Sequence, residues 1–162
     1  LKYPSSENEY LPVIILEARI NAPIERCFDL SRDVDLHMRS TEHTREVAVA
    51  GVTTGLIGPG QEVTWEATHF CVRQRLTSKV TAYSRPVHFR DSQIRGPFQR
   101  FDHDHVFEDI SAGVTLMRDT FDYASPLGFL GRLIDRLFLK RYMRSLLERR
   151  NKLIKQVAEG VG

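Results

Sequence analysis

Apolar and polar positions change period along the chain, and the changes predict the order of its elements. Residues 11–20 are rich in β-branched side chains and stop at Asn21-Ala22-Pro23. That predicts a strand and then a short helix capped by Asn21, with Pro23 and Glu25 in its first turn. Ile24, Cys27, Phe28 and Leu30 recur at helical spacing, and a second short helix or turn is predicted through Met38. Residues 46–50 predict another strand. Gly51, Gly55, Gly58 and Gly60, with Pro59, then read as a mobile flap, because the strand-then-helix setting of a nucleotide loop is missing.

Five further strands are predicted near 61–70, 72–83, 87–94, 98–108 and 114–123. The breaks fall at Cys71, Ser84-Arg85-Pro86, Gly96-Pro97 and Ser111-Ala112-Gly113, a succession of antiparallel hairpins. Ser125-Pro126 then supplies a helix start, and no proline follows. Leu130, Leu133, Ile134, Leu137, Phe138, Leu139, Tyr142, Met143, Leu146, Leu147, Leu153, Ile154 and Val157 recur at three- and four-residue steps to about residue 159. The other face of this long helix is basic, with Arg132, Arg136, Lys140, Arg144, Arg149, Lys152 and Lys155.

One strand carries most of the candidate chemistry. Phe101, His103, His105 and Phe107 share a face, with Asp102, Asp104 and Val106 on the other. If Glu108 faces Val114 across the hairpin, His105 opposes Met117, His103 opposes Asp119 and Phe101 opposes Phe121, while Asp104 opposes Arg118 and Asp102 lies across from Thr120. An interior His103–Asp119 interaction is therefore expected. Alternation in the neighbouring strands points Val63, Trp65, Ala67 and His69 inward, then Val72, Leu76 and Val80, then Val87, Phe89 and Asp91.

At 162 residues, 41% hydrophobic and 27% charged, the chain suits one domain with a full core, taken as 10–162 after a polar extension over 1–9. A net charge of +2 excludes strong whole-molecule attraction to nucleic acid, and no exposed aromatics interleave with basic residues; no nucleic-acid partner is expected. Cys27 and Cys71 form no disulfide framework and no metal-type spacing. They read as buried or half-buried fillers in a cytoplasmic protein, and the run 11–16 is too short for a signal core. The basic helix face is either plainly solvated or in peripheral contact with acidic lipid headgroups.

This order of elements resembles the helix-grip architecture of the START-like superfamily. The phrases Asp35-Leu36-His37, Gly60-Gln61-Glu62-Val63-Thr64-Trp65, Arg95-Gly96-Pro97-Phe98 and Asp122-Tyr123-Ala124-Ser125-Pro126-Leu127-Gly128 look like those of bacterial SRPBCC proteins of the cyclase/dehydrase type, some labelled cell-division inhibitors. The resemblance implies an α+β fold: a seven-stranded antiparallel sheet curved around a long C-terminal helix, two short helices after the first strand, and a cavity between sheet and helix. It also implies a hydrophobic or amphipathic small-molecule partner such as a lipid, quinone or polyketide.

On that fold the expected lining is Trp65, His69, Phe89, Phe101, His103, His105, Phe107, Met117, Asp119, Phe121, Tyr123, Leu133 and Leu137, with Phe138 or Arg141 beside them. His103 and His105 read as satisfied core histidines, as groups orienting a ligand, or as metal ligands completed by His69 or Asp119. His103, His105 and Asp119 would be the acid/base groups if the cavity were an active site. A cross-strand hydrogen bond is the plainer reading, since neither a nucleophile nor a phosphate loop accompanies them. His37 is placed at the cavity mouth or the surface, and His43 and His88 in solvent. No metal and no cofactor are expected. A ligand carrier is the leading function, with a cyclase/dehydratase-type enzyme and a cell-division regulator acting through protein contact as alternatives.

Overall fold

The computed structural model describes residues 12–125 and 138–161. The extension over 1–9 and the expected lining residues Leu133 and Leu137 lie outside them. β1 (Val13–Ile20) leads into α1 (Ile24–Ser31) and α2 (Val34–Ser40). β2 (Val47–Gly51), β3 (Glu62–His69), β4 (Val72–Ser84), β5 (His88–Arg95), β6 (Arg100–Ser111) and β7 (Val114–Ala124) follow, and α3 (Lys140–Ala158) closes the chain. The seven strands form one antiparallel sheet in the order β1-β7-β6-β5-β4-β3-β2. Every neighbour but one is a hairpin partner. β1 reaches β7 because α1 and α2 carry the chain across the open face of the sheet.

Local chemistry fixes the two short helices. α1 begins at Pro23 rather than Asn21, and no side chain caps it; the Asn21 N–H instead donates to Glu159 Oε1 at 2.8 Å, tying the helix entry to the end of α3. Asp33 caps α2, its carboxylate accepting from the N–H groups of Asp35 (2.9 Å) and Leu36 (3.1 Å). The glycine-rich connection expected as a flap is fastened to this corner. Ile57 N–H donates to Arg32 O, Val34 N–H to Gly55 O, and Asp35 accepts from Gly55 N–H and Thr54. Ile57 is buried, which gives the loop a hydrophobic anchor that its glycines concealed.

Three apolar clusters hold the layers together. Cys27 and Phe28 of α1 pack with Phe89, Phe107, Met117 and Ile154; Ile14, Leu16, Phe101, Phe121 and Tyr123 pack under Leu147; Val34, Ile57, Val63, Trp65 and Val80 form the third. Expected inward positions at strand ends do not follow this pattern. Val72 and Val87 are 56% and 44% exposed, because Val72 opens β4 and Val87 lies just before β5, past the edge of the apolar clusters. Cys71 is exposed rather than a filler, in a turn where Phe70 and Cys71 both have positive φ (51° and 63°).

The β6–β7 ladder corrects the expected register by two residues. The chain reverses at Ala112-Gly113, where Gly113 adopts φ 73°, and an irregularity between Asp109 and Ser111 absorbs the extra residue, so Ser111 rather than Glu108 faces Val114. His105 therefore opposes Asp119, His103 opposes Phe121, Phe101 opposes Tyr123 and Phe107 opposes Met117. Asp104 faces Thr120 and pairs with Arg90 at 2.8 Å, while Arg118 turns to Glu17 on β1 at 2.7 Å. Asp102 faces Asp122, a like-charge pair that Arg100 bridges at 3.8 and 3.1 Å. A two-residue shift leaves every side chain on its expected face.

Candidate functional site

A cavity of about 640 Å³ lies between the sheet and α3. Seven of the expected residues line it: Trp65, His69, Phe89, Phe101, His103, His105 and Phe121. Phe107, Met117, Asp119 and Tyr123 are buried in the layer behind them without reaching the cavity. Phe138 contributes to the wall, and Arg141 does not. The rest is mostly aliphatic and aromatic, with Leu76, Val80, Met143, Leu146 and Leu147 among it.

Two groups of polar side chains interrupt this wall. The first is built on three adjacent strands. Asp119 on β7 lies directly across from His105 on β6, while Asp91 on β5 faces His103 and reaches His105 diagonally, so that His105 sits between the carboxylates, with Nδ1 2.6 Å from Asp119 Oδ1 and Nε2 3.0 Å from Asp91 Oδ1. Ionised carboxylates only accept, so both imidazole nitrogens carry protons. Burial and the Arg150 charge oppose that cation, yet Asp119 and Asp91 outweigh them, and the His105 pKa is raised. Burial would likewise raise Asp119, but His105 and His103 hold it well below the usual carboxylate range. Phe89 stacks on His105 with ring centres 4.2 Å apart.

His103 is the odd member. Its ring lies 3.9 Å from that of His105, and burial, then the neighbouring cation, lower its pKa and keep it neutral. Its Nε2 is buried and has no hydrogen-bond partner; the nearest carboxylate oxygen, on Asp119, is 3.5 Å away, beyond a normal N–H···O distance. α3 supplies two residues that the sequence pattern did not single out. Asn151 donates to Asp119 Oδ2 at 2.5 Å, and the Arg150 guanidinium reaches Ser31 O at 2.5 Å and lies 3.8 Å from Asp119. Their signal was positional: both fall on the apolar stripe between Leu147 and Ile154, where a polar side chain has to find an interior partner.

The second polar group lies where α2, β3 and α3 meet. His37 Nε2 is 2.6 Å from Glu46 Oε1, and its ring lies 4.3 Å from that of Trp65. His69 Nδ1 is 2.7 Å from the Tyr142 hydroxyl. Burial lowers the His69 pKa and raises that of Tyr142, so both are neutral. Desolvation would raise Glu46, but His37 beside it brings the net shift down. His43 is exposed as expected, whereas His88 is half-buried against Asp104 at 2.7 Å.

Asp91, His103 and His105 bring three donor atoms within 4.8 Å of one another, a spacing suited to a divalent cation. The donor chemistry favours a proton there. With a carboxylate against each nitrogen, His105 has no lone pair to offer until that proton leaves. As it stands, the group combines a neutral imidazole with a charged one and can give or take a proton.

No protein-family model and no curated protein matches the sequence. Solved structures do match in fold. TTHA0849 of Thermus thermophilus is 20% identical, with a TM-score of 0.74 over 93% of this chain and 99% of that one. A START superfamily protein of Mycobacterium smegmatis is 12% identical at a TM-score of 0.69, covering 93% and 99%. This chain has the START-like, SRPBCC helix-grip fold. The Zhui aromatase/cyclase of a Streptomyces species shares it at 13% identity and a TM-score of 0.64, covering 94% and 99%. These neighbours lend no support to the cell-division label. Among the described residues, no helix is long and apolar enough to cross a membrane.

Proposed function

We propose that the protein binds a hydrophobic or amphipathic small molecule in the cavity between the sheet and α3. The observation that carries this reading is the buried, unpartnered Nε2 of His103 in the wall of a cavity lined largely by aliphatic and aromatic side chains. An orphaned polar atom costs roughly 1–3 kcal/mol, a cost that a ligand hydroxyl or carbonyl would remove. A volume of about 640 Å³ suits a lipid-, quinone- or polyketide-sized molecule. Phe89, Phe101 and Phe121 supply apolar contact, and His103, held neutral beside the charged His105, orients the polar end. That neighbours with this fold include a START superfamily protein and an aromatase/cyclase agrees with the reading.

Native mass spectrometry of the purified protein tests it directly: a small molecule retained under native conditions and released on denaturation is expected. Phe101→Ala or Phe121→Ala should weaken binding of that molecule more than Asp104→Ala, whose side chain lies on the opposite face. Equal losses at matched stability would reject the cavity as the binding site.

A catalytic reading has one specific observation in its favour. A neutral imidazole at His103 stands beside the charged His105 inside the cavity, which is the pairing that a proton-transfer step in cyclisation or dehydration needs. His103→Ala separates the two readings: a carrier binds its ligand more weakly and converts none of it before or after the change, whereas an enzyme of this type shows a product formation that the substitution abolishes.

A further inference from the structure

The cavity has a polar group at each end, not one. His103, His105, Asp91 and Arg150 occupy one end; His37, Glu46, His69 and Tyr142 occupy the other, and all eight line the same space. Tyr142 and Arg150 are eight positions apart on α3, about 12 Å at the helical rise. On the sheet the ends are further apart. Val80 pairs with Asp91 and Val72 with His69, eight residues of β4, or roughly 26 Å of extended strand before curvature shortens it. The wall between carries Leu76, Phe101, Met143 and Leu146, with Gln74 and Ser78 on β4 as its polar interruptions.

Charge narrows the ligand further. Each ionised side chain in the lining already has a partner within the protein: Asp91 and Asp119 hold His105, Arg150 lies near Asp119, Glu46 contacts His37, Arg32 shares Asp29 with Arg85, and Arg75 shares Glu66 with Arg73. Asp33 is held as the cap of α2. Among the described residues every ionised group in the wall is engaged in an ion pair or a helix cap, and the two arginines that share a carboxylate, Arg32 and Arg75, belong to neither polar end. What remains is neutral hydrogen-bonding capacity: the free nitrogen of His103 at one end, and the His69–Tyr142 pair at the other, where the hydroxyl oxygen retains further capacity.

We propose that the ligand is an uncharged molecule with a hydrogen-bonding group, a hydroxyl or a carbonyl, at each end of an apolar body. This rests on the reading of the cavity as a ligand site and adds to it the two-ended, neutral character. An end wall of hydrocarbon would penalise a second hydroxyl, because removing it from water without a partner is costly. The His69–Tyr142 end removes that penalty.

Three probes of equal chain length test the idea: dodecanediol with a hydroxyl at each end, dodecanol, and dodecanoate. Trp65, the single tryptophan, lines the cavity beside His37, so its fluorescence reports occupancy, with titration calorimetry as an independent measure. The diol should bind about five- to tenfold more tightly than dodecanol, the worth of one further hydrogen bond, and dodecanoate should bind most weakly. Tyr142→Phe should bring the diol to the affinity of dodecanol, and His69→Leu should do the same by removing the partner ring. A diol that binds no more tightly than dodecanol, or a preference for dodecanoate, would overturn the two-ended, neutral ligand while leaving the cavity reading intact. Absence of binding by all three would instead remove the cavity reading and this inference with it.

Discussion

Four side chains converge on the Asp119 carboxylate, from two strand neighbours and two consecutive helix positions: His105 at 2.6 Å, Asn151 at 2.5 Å, His103 at 3.5 Å and Arg150 at 3.8 Å. Asp119 has no exposed surface, so its charge is tolerated only because these partners replace water. Asp119→Ala leaves a buried imidazolium facing a void and should cost about 3–5 kcal/mol, read from denaturant unfolding. A loss below about 1 kcal/mol would mean that the group is not ionised as described.

The pH response follows from the same contacts. His105 has a folded pKa above its unfolded value of about 6.5, so its stabilisation is complete below that pH and is lost as pH rises through the folded value. His103 and His69 have lowered values and act in the opposite sense, stabilising above about pH 6.5 and losing that contribution as pH falls. The depressed carboxylates of Asp119 and Asp91 weaken the fold only at still lower pH, below about 4. Comparing wild type with His105→Gln isolates the first contribution. The stability gap between them should be widest below the unfolded value of about 6.5 and should narrow as pH rises through the folded value; a gap that stays constant up to alkaline pH would show that His105 is not the charged member.

At the scale of elements, the β3–β4 hairpin is held in an unfavourable turn. Phe70 and Cys71 both occupy left-handed backbone, which suits Asn-Gly and penalises side chains of their size, at about 1–2 kcal/mol each. In return Phe70 is placed 4.7 Å from the Tyr142 ring, at the rim of the cavity. Replacing Phe70-Cys71 with Asn-Gly should raise thermal stability by about 2–8 °C while weakening ligand retention, so that stability and binding move in opposite directions. Alternation in the sequence showed which faces of β3, β5 and β6 meet the cavity, because a strand's period of two is insensitive to its partner. It could not give the partner itself. The two-residue turn at Ala112-Gly113 and the irregularity beside it moved Asp119 from His103 to His105 without changing a face. Arg150, Asn151 and Glu46 escaped notice for another reason: each is an ordinary surface residue type, and only the packing of α3 and α2 over the sheet encloses it.

For the whole molecule, the curved sheet and α3 enclose a cavity that exists only when the chain is folded, so a ligand bound in it would stabilise the fold by mass action. Dodecanol at about 100 times its dissociation constant should add roughly 2.7 kcal/mol, which for a chain of this size corresponds to a rise of about 5–10 °C in Tm. The location of that effect is testable. Leu76 stands on β4 between the two polar ends and touches two of the core clusters, so Leu76→Trp would fill the middle of the cavity with indole. The variant should fold, with an overpacking cost of about 1–3 kcal/mol at most because the space is present. Its Tm should no longer respond to dodecanol. A variant that folds and still shows the full rise would place the ligand outside the cavity.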